Sequence, residues 1–484
     1  MKKLWIVCVS VFGTILPSVG FATTGYFALG YGSKSMGMAG AVVAAPQDAL
    51  VGAANPAGFS ELGHRTDFGL RLFSPIREAE LDPRVLGGSF LVDRRSSRES
   101  FFIPNFGYAR PVNDKITVGV SIFGNGGLNT TYARNIYDET AAVLGAFQQG
   151  FQGALASGAS PAQAQAAGAQ AAGSVPEGTG TGLPNTGRLG VDLAQLIIAP
   201  TLSYKLSEQH SVGVAPLIGI QAFEATGLGN FQCFTQTANS TAASRQACAT
   251  RGFPTVLSDK LTNNGKDWSA GLGVRVGWLG KVQPNLTLGA SAASKIYMDE
   301  FDDYSELFAE DGGFDIPANV AIGASLQATP KLLIALDYQR IFYGDVDSIS
   351  NTGPVASPQG PTIPPGSGLL GTDNGLGFGW EDINIVRLGL RYMHDSKWTF
   401  RGGVAYNESP IPDSELLFNI LAPATPEWHV TAGFTYTPKP NMDINFAYMH
   451  AFDAEQSANV TAFGVPGAIS MYQNSVEFSI SFRL

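Results

Sequence analysis

Short runs in which apolar and polar residues alternate recur along this chain, and the connections between them are by turns brief and long. The clearest run closes the sequence: Val476, Phe478, Ile480, Phe482 and Leu484 share one parity, Glu477, Ser479, Ser481 and Arg483 the other. The same split separates Met442, Ile444, Phe446 and Tyr448 from Asp443, Asn445 and Ala447. It recurs in Trp398, Phe400, Val404 and Tyr406 against Thr399, Arg401 and Asn407. A period of two is the signature of a strand with one apolar face. About fourteen such segments are predicted, at 65–74, 99–110, 115–125, 193–206, 210–224, 267–279, 285–297, 315–329, 331–343, 381–394, 397–408, 425–437, 441–452 and 472–484. Each can cross a bilayer at a tilt, which takes about 9 to 11 residues.

Turn-like connections at 111–114, 207–209, 281–284, Pro330, 395–396 and 438–440 alternate with much longer ones. A soluble sandwich would also alternate in polarity, but it would not alternate so strictly in loop length. The pattern predicts an all-β membrane protein, an antiparallel transmembrane β-barrel of about 14 strands with tight turns on one side and large external loops on the other. Most strand charges, among them Arg275, Lys295, Asp337, Arg387, Arg391, Arg401 and Glu477, take the polar parity. An arginine facing lipid at mid-bilayer would cost about 2 to 4 kcal/mol. Arg340 takes the apolar parity, near the outer end of its strand, where that cost fades.

The first 22 residues carry Lys2 and Lys3, an apolar run from Leu4 to Val19, and small residues Gly20 and Ala22, which predicts an export signal at 1–22 and a mature chain from Thr23. Beyond it no apolar stretch suits a membrane helix, so crossing falls to strands and the expected location is the outer membrane of a Gram-negative bacterium. The 58 glycines and only 14% charged residues agree. Loss of the two signal lysines takes the formal charge from −10 to −12, with no basic stripe, which excludes nucleic acid as a partner. Cys8 lies within the signal and follows Val7, where lipid attachment would need a small residue. Cys233 and Cys248 meet an oxidising compartment and are expected to form a disulfide that stiffens one loop.

Residues 23–64 precede the first strand and do not read as strand. They contain Gly30-Tyr31-Gly32, the run Met36 to Ala41, and Asn55, Pro56 and Ala57. With these, the stretch Trp398 to Arg401 leading to Ser409-Pro410, and Tyr448-Met449-His450, the chain resembles the FadL-type family of outer-membrane transporters for long-chain fatty acids and other hydrophobic molecules. The resemblance spans the mature chain, which departs from the usual barrel ending by closing on Leu484. It implies a 14-stranded barrel at 65–484, an N-terminal hatch at 23–64 in the lumen with its turn at Asn55, Pro56 and Ala57, and a kink in the third strand.

Uptake of a greasy solute needs an apolar collecting surface, an apolar cavity and an exit that avoids water. In the longest external connection Val143, Phe147, Phe151 and Leu155 recur at spacing four, an amphipathic helix that is either one wall of a surface groove or simply packed on neighbouring loops. The stretch after it, to Gly182, carries little charge and reads as a mobile cover. Pro200 and Pro216 should oppose one another on paired strands, and Phe123, Gly124, Asn125, Gly126 and Gly127 weaken regular pairing. The expectation is a lateral opening between the third and fourth strands, the alternative a local bulge without passage. Arg387, Arg391 and Arg401 are candidates to hold a carboxylate, or else they pair with Asp337, Asp443 and Glu477. Alkanes or aromatic hydrocarbons would need no such cation.

Histidines at 64, 210, 394, 429 and 450 are scattered, no Gly-x-Ser-x-Gly motif occurs, and neither a metal-ligand cluster nor a cofactor motif is found, so an enzyme is not expected. Acidic pairs at Asp302, Asp303 and at Glu310, Asp311 read as solvated charge, with divalent-ion contact to lipopolysaccharide the weaker option. The expected partners are therefore a hydrophobic small molecule, outer-membrane lipid and lipopolysaccharide, around a monomer. A general porin or surface adhesin is the alternative of another class.

Overall fold

The computed structural model describes residues 24–249 and 253–484; the signal segment lies outside the described residues. Fourteen antiparallel strands form the wall: β1 (Arg65–Leu81), β2 (Phe101–Pro111), β3 (Ile116–Tyr132), β4 (Leu189–Lys205), β5 (His210–Thr226), β6 (Asp267–Gln283) and β7 (Leu286–Ala293), then β8 (Asn319–Gln327), β9 (Leu332–Ile341), β10 (Ile383–Met393), β11 (Trp398–Asn407), β12 (Trp428–Lys439), β13 (Met442–Ala458) and β14 (Gly467–Arg483). Each pairs with its neighbours in sequence, and β14 returns to β1 over the register Arg65↔Arg483 to Leu81↔Gly467, so the sheet closes. Closure removes the sheet edges that hydrocarbon could not hydrate. Two short strands, Val92–Arg95 on β1 and Tyr297–Met298 on β6, are added at the loop end.

The two parities separate as the alternation requires. Ile322, Leu336 and Phe478 are 60%, 52% and 59% exposed on the outer face, whereas Asp337 and Glu477 are 1% and 0% exposed within. Arg340, on the outer parity, is paired at 3.0 Å with Asp382 of the following loop. Several strands run further outward than their alternation, to Leu81, Tyr132 and Ala458. The helix predicted after β3 is present as α1 (Ile136–Ala156), capped by Asn135. The stretch expected to be a mobile cover instead contains a second helix, α2 (Pro161–Gly173), started by a Ser160–Gln163 capping box and packed on α1. Alanine-rich sequence favours helix once a cap and a neighbouring face are supplied.

Residues 24–64 lie within the ring of strands and bond to inward side chains around it. Ser121 (β3), Ser203 (β4) and Ser325 (β8) donate to the carbonyls of Ala49, Ala57 and Ala44 at 2.6, 3.0 and 2.7 Å. Asp337 (β9) accepts the Val43 N–H at 2.8 Å, and Thr431 (β12) accepts that of Ala39 at 3.1 Å. Lys34 meets Asp443 (β13) at 3.0 Å, and that carboxylate also holds Arg483 at 2.6 Å. Asn55 is central: its amide donates to the carbonyls of Val43 at 2.8 Å and Trp278 at 2.9 Å, while its oxygen caps the turn at Ala57. Pro56 follows at the first position of that 3-10 turn, where it needs no donor.

Two outcomes are expected. Asn55→Ala removes donors from the buried Val43 carbonyl and the part-buried Trp278 carbonyl and removes a cap, and should lower stability by about 2–4 kcal/mol in urea unfolding from lipid vesicles. Ile322→Arg, at the middle of an outward face, should cost about 2–4 kcal/mol in the same assay; a change near zero would mean that this face does not meet lipid.

Candidate functional site

The wall is incomplete at one place. β2 pairs with β3 only from Phe106↔Ile122 to Pro111↔Thr117, although β3 continues to Tyr132 and pairs with β4 throughout. Phe101 to Asn105 of β2 and Phe123 to Thr130 of β3 thus face a gap. It closes again above, where Ser97 N–H donates to the Thr131 carbonyl at 2.8 Å and Ser96 Oγ accepts the Thr131 N–H at 3.0 Å. The Arg77 guanidinium reaches from β1 across the gap to the carbonyls of Asn129 and Arg98. All of Phe123 to Thr130 are buried, whereas the lower half of β3 is partly exposed, because the upper half bends into the lumen.

This corrects the expected opening between the third and fourth strands. The β3–β4 ladder runs from Ile116↔Tyr204 to Tyr132↔Leu189, broken only by a bulge at Asn125. Pro200 and Pro216 do oppose one another, but they interrupt only β4 and β5, between Ile198↔Ile218 and Leu202↔Val214. The glycines at 124, 126 and 127 bend β3 away from β2 while it keeps β4, so the edge left over is the one facing β2. The lumen segment takes up part of that edge. Ala28 N–H donates to the Asn125 carbonyl at 3.0 Å and Gly127 N–H to that of Tyr26 at 3.3 Å. A Cβ at Gly126 would clash with the Tyr26 carbonyl, so only glycine allows this approach. The Tyr31 ring packs at a tilt against Phe123 at 4.5 Å, and its hydroxyl donates to Asn125 Oδ1 at 3.2 Å.

Tyr26 anchors the same segment upward. Its ring lies 5.4 Å from Tyr343 and 6.0 Å from Trp380, and the Tyr343 hydroxyl accepts the Tyr26 N–H and donates to the Thr24 carbonyl. Burial holds both phenols well above their usual range, so both stay neutral. Above them Val191, Phe223, Phe231, Leu261, Phe308 and Phe418 line an apolar cavity beneath the external loops. The cavity has a volume of about 30 Å³, so a long chain must displace side chains to enter.

The predicted capture stripe contributes little to that cavity. Val143 is fully buried, Phe147 lies under α2 at Gly168, Phe151 stacks on Phe147 at 6.1 Å, and Leu155 is 36% exposed. The helix is spent mainly on packing. Cys233 and Cys248 are disulfide-bonded in the loop that carries Phe231. The lining residues come from six separate segments, and no local periodicity marks them.

Nor do the three candidate arginines converge. Arg391 and Arg401 are register partners on β10 and β11, and Arg401 is held by Gln47 at 2.8 Å and Thr435 at 2.7 Å. Arg387 donates to Gln339 at 2.6 Å. The expected ion pairs are taken otherwise: Glu477 binds Arg71 at 2.8 Å and Asp443 binds Lys34 and Arg483. Arg387 shares a lumen cavity with Arg275, a residue whose sequence context carried no signal beyond parity.

Among solved structures, the Pseudomonas putida toluene transporter TodX is similar over 96% of this chain and 100% of its own, with a TM-score of 0.61 and 16% identity. A Pseudomonas aeruginosa FadL homologue gives 0.62 at 14% identity, over 95% and 99%. The Ralstonia pickettii toluene transporter TbuX gives 0.58 at 18%, over 94% and 99%. At these identities the likeness concerns the fold. In sequence, the long-chain fatty acid transport protein of Escherichia coli O6:H1 is 35% identical over 74 residues, 15% of this chain and only 16% of that relative. A family model described as outer membrane protein transport protein (OMPP1/FadL/TodX) matches residues 185–479. That match covers more than half of the chain, and this protein belongs to the OMPP1/FadL/TodX family of outer-membrane transport proteins.

Proposed function

We propose that this protein is a passive, monomeric channel through which hydrophobic small molecules, long-chain fatty acids foremost, enter the outer membrane of a Gram-negative bacterium. The observation that carries the reading is the β2–β3 gap, whose β3 edge is capped by Tyr26 to Ala28 of the lumen segment rather than by a strand. Solute is captured in the apolar cavity around Phe223 and Phe308, passes residues 24–64 acting as a hatch, and leaves sideways between β2 and β3. Release of Tyr26 and Tyr31 would free the gap at its lumen side, and the solute would move into lipid without crossing water. Lipid and lipopolysaccharide surround the barrel, and no cofactor enters the scheme. A lumen filled by hatch residues supports this reading over a water-filled porin, and a transporter family supports it over an enzyme.

The energetics come from burial. Each methylene removed from water contributes about 0.8 kcal/mol, so affinity of the purified protein should rise about fourfold per added methylene until the cavity is filled. A flat response in titrations across a series of acids would remove this cavity as the capture site. Replacing Gly124, Gly126 and Gly127 together with valine favours continuous strand and displaces the Tyr26 strap. Uptake of a fluorescent long-chain acid by cells should then fall roughly tenfold, about 1.4 kcal/mol, with the heat-modifiable barrel intact. Unchanged uptake by a folded variant would sink the lateral route.

A further inference from the structure

We propose that Arg77 and Arg98 clasp the two edges of the strand gap together, so that the exit selects by cross-section and an unbranched chain leaves faster than a branched one; this rests on the uptake route proposed above. The gap is pinned below by backbone, at the last β2–β3 pair, Phe106↔Ile122. Above it, beyond the contacts of Ser96 and Ser97 with Thr131, the ties are side chains. The Arg77 guanidinium starts on β1 and donates to the carbonyls of Asn129 on β3 and of Arg98, just before β2. The Arg98 side chain crosses in its turn to Asp192 on β4, at 3.3 Å. Asp192 also accepts from Asn129 Nδ2 at 3.1 Å and meets Lys266 at 3.3 Å. Two guanidiniums and one carboxylate thus join β1 and the approach to β2 with β3 and β4, at the height where β2 and β3 have no ladder.

What fills the gap is apolar and is held by the same groups. Phe101 and Ile103, on the free edge of β2, pack inward with Phe73, Ala28 and Ala194. The Phe101 ring lies 6.2 Å from that of Phe73, and the guanidiniums of Arg77 and Arg98 stand 5.7 and 5.8 Å from its centre. A cation over a ring face is attracted by the ring quadrupole, so the two arginines that tie the edges also fix this ring. Arg77 is buried, and its charge is met by two carbonyls and the Phe101 ring. Drawing it away would leave a buried charge without partners, which makes the tie stiff. The space behind it, lined by Phe73, Leu128 and Met471, is only about 10 Å³, so the ring has no room to retreat. A molecule passing between Phe101 and Asn105 therefore displaces Phe101 and Ile103 while both edges stay pinned. A linear chain needs room for one methylene at a time. Each methyl branch needs more, and in a close-packed wall that room comes only from stretching the clasp.

The test is uptake of radiolabelled hexadecanoate and of phytanate, the same chain bearing four methyl branches, by cells that carry the full-length protein, each rate corrected for cells without it. Hexadecanoate should enter about fivefold faster or more. Arg77→Met with Arg98→Met keeps much of the side-chain bulk, removes both ties, and should bring the ratio below about two through a rise in phytanate entry. Asp192→Asn leaves both arginines in place and removes the charge that holds Arg98. It should lower the ratio part of the way, independently of how the double variant folds. Heat-modifiability reports folding, and raffinose entry reports a general leak. An unchanged ratio in the folded variants, a ratio lowered by loss of hexadecanoate entry or only together with raffinose entry, or equal rates in the unmodified protein overturns the clasp and leaves uptake standing. Protein-dependent entry of neither acid overturns both.

Discussion

A backbone in hydrocarbon must pair every N–H and C=O with itself, and the architecture follows from that constraint. Fourteen strands closing through β1 and β14 satisfy it almost everywhere. The exception is the upper half of β3, which departs from β2 at Ile122 and turns an edge inward. Its groups are partly satisfied by the backbone of Tyr26 to Ala28, and Arg77 supplies donors to Asn129. The breach in the wall and the packing of the lumen segment are thus one structural fact. Neither could change alone without exposing unpaired backbone.

The same constraint explains how the lumen holds a 41-residue segment that has almost no regular structure of its own, residues 24–64. Its carbonyls and amides are met by serine, threonine, asparagine and aspartate side chains on the polar parity of the strands. Buried pairs such as Lys34 with Asp443 and Arg71 with Glu477 add register more than stability, since desolvation offsets much of their attraction. The segment is thus held by many separate polar contacts rather than by one apolar core.

From top to bottom the interior changes character. Beneath the loops it is aromatic and apolar, around Phe223, Phe308 and Trp380. At Tyr31 it meets the strand gap on one side and the guanidiniums of Arg275 and Arg387 on the other. Below that the polar contacts of residues 24–64 with the strands take over.

Much of this was legible in the chain. Alternation such as Val476 to Leu484 against Glu477 to Arg483 fixes which side chains face lipid, because strand geometry has a period of two, and tight turns at 111–114 or 395–396 decide which strands are neighbours. The glycines of β3 and the asparagine-proline turn at Asn55 were readable for the same local reason. What only the tertiary structure decided depends on pairing and on distance across the barrel. Whether the bend at Gly124 frees the edge toward β4 or toward β2 is set by which ladder survives, and local sequence is silent on it. The outer half of β3 lost its alternation because both of its faces there are covered. The meeting of Arg275 with Arg387 spans five strands, and it arises from barrel curvature and two bridging amides that no spacing along the chain encodes.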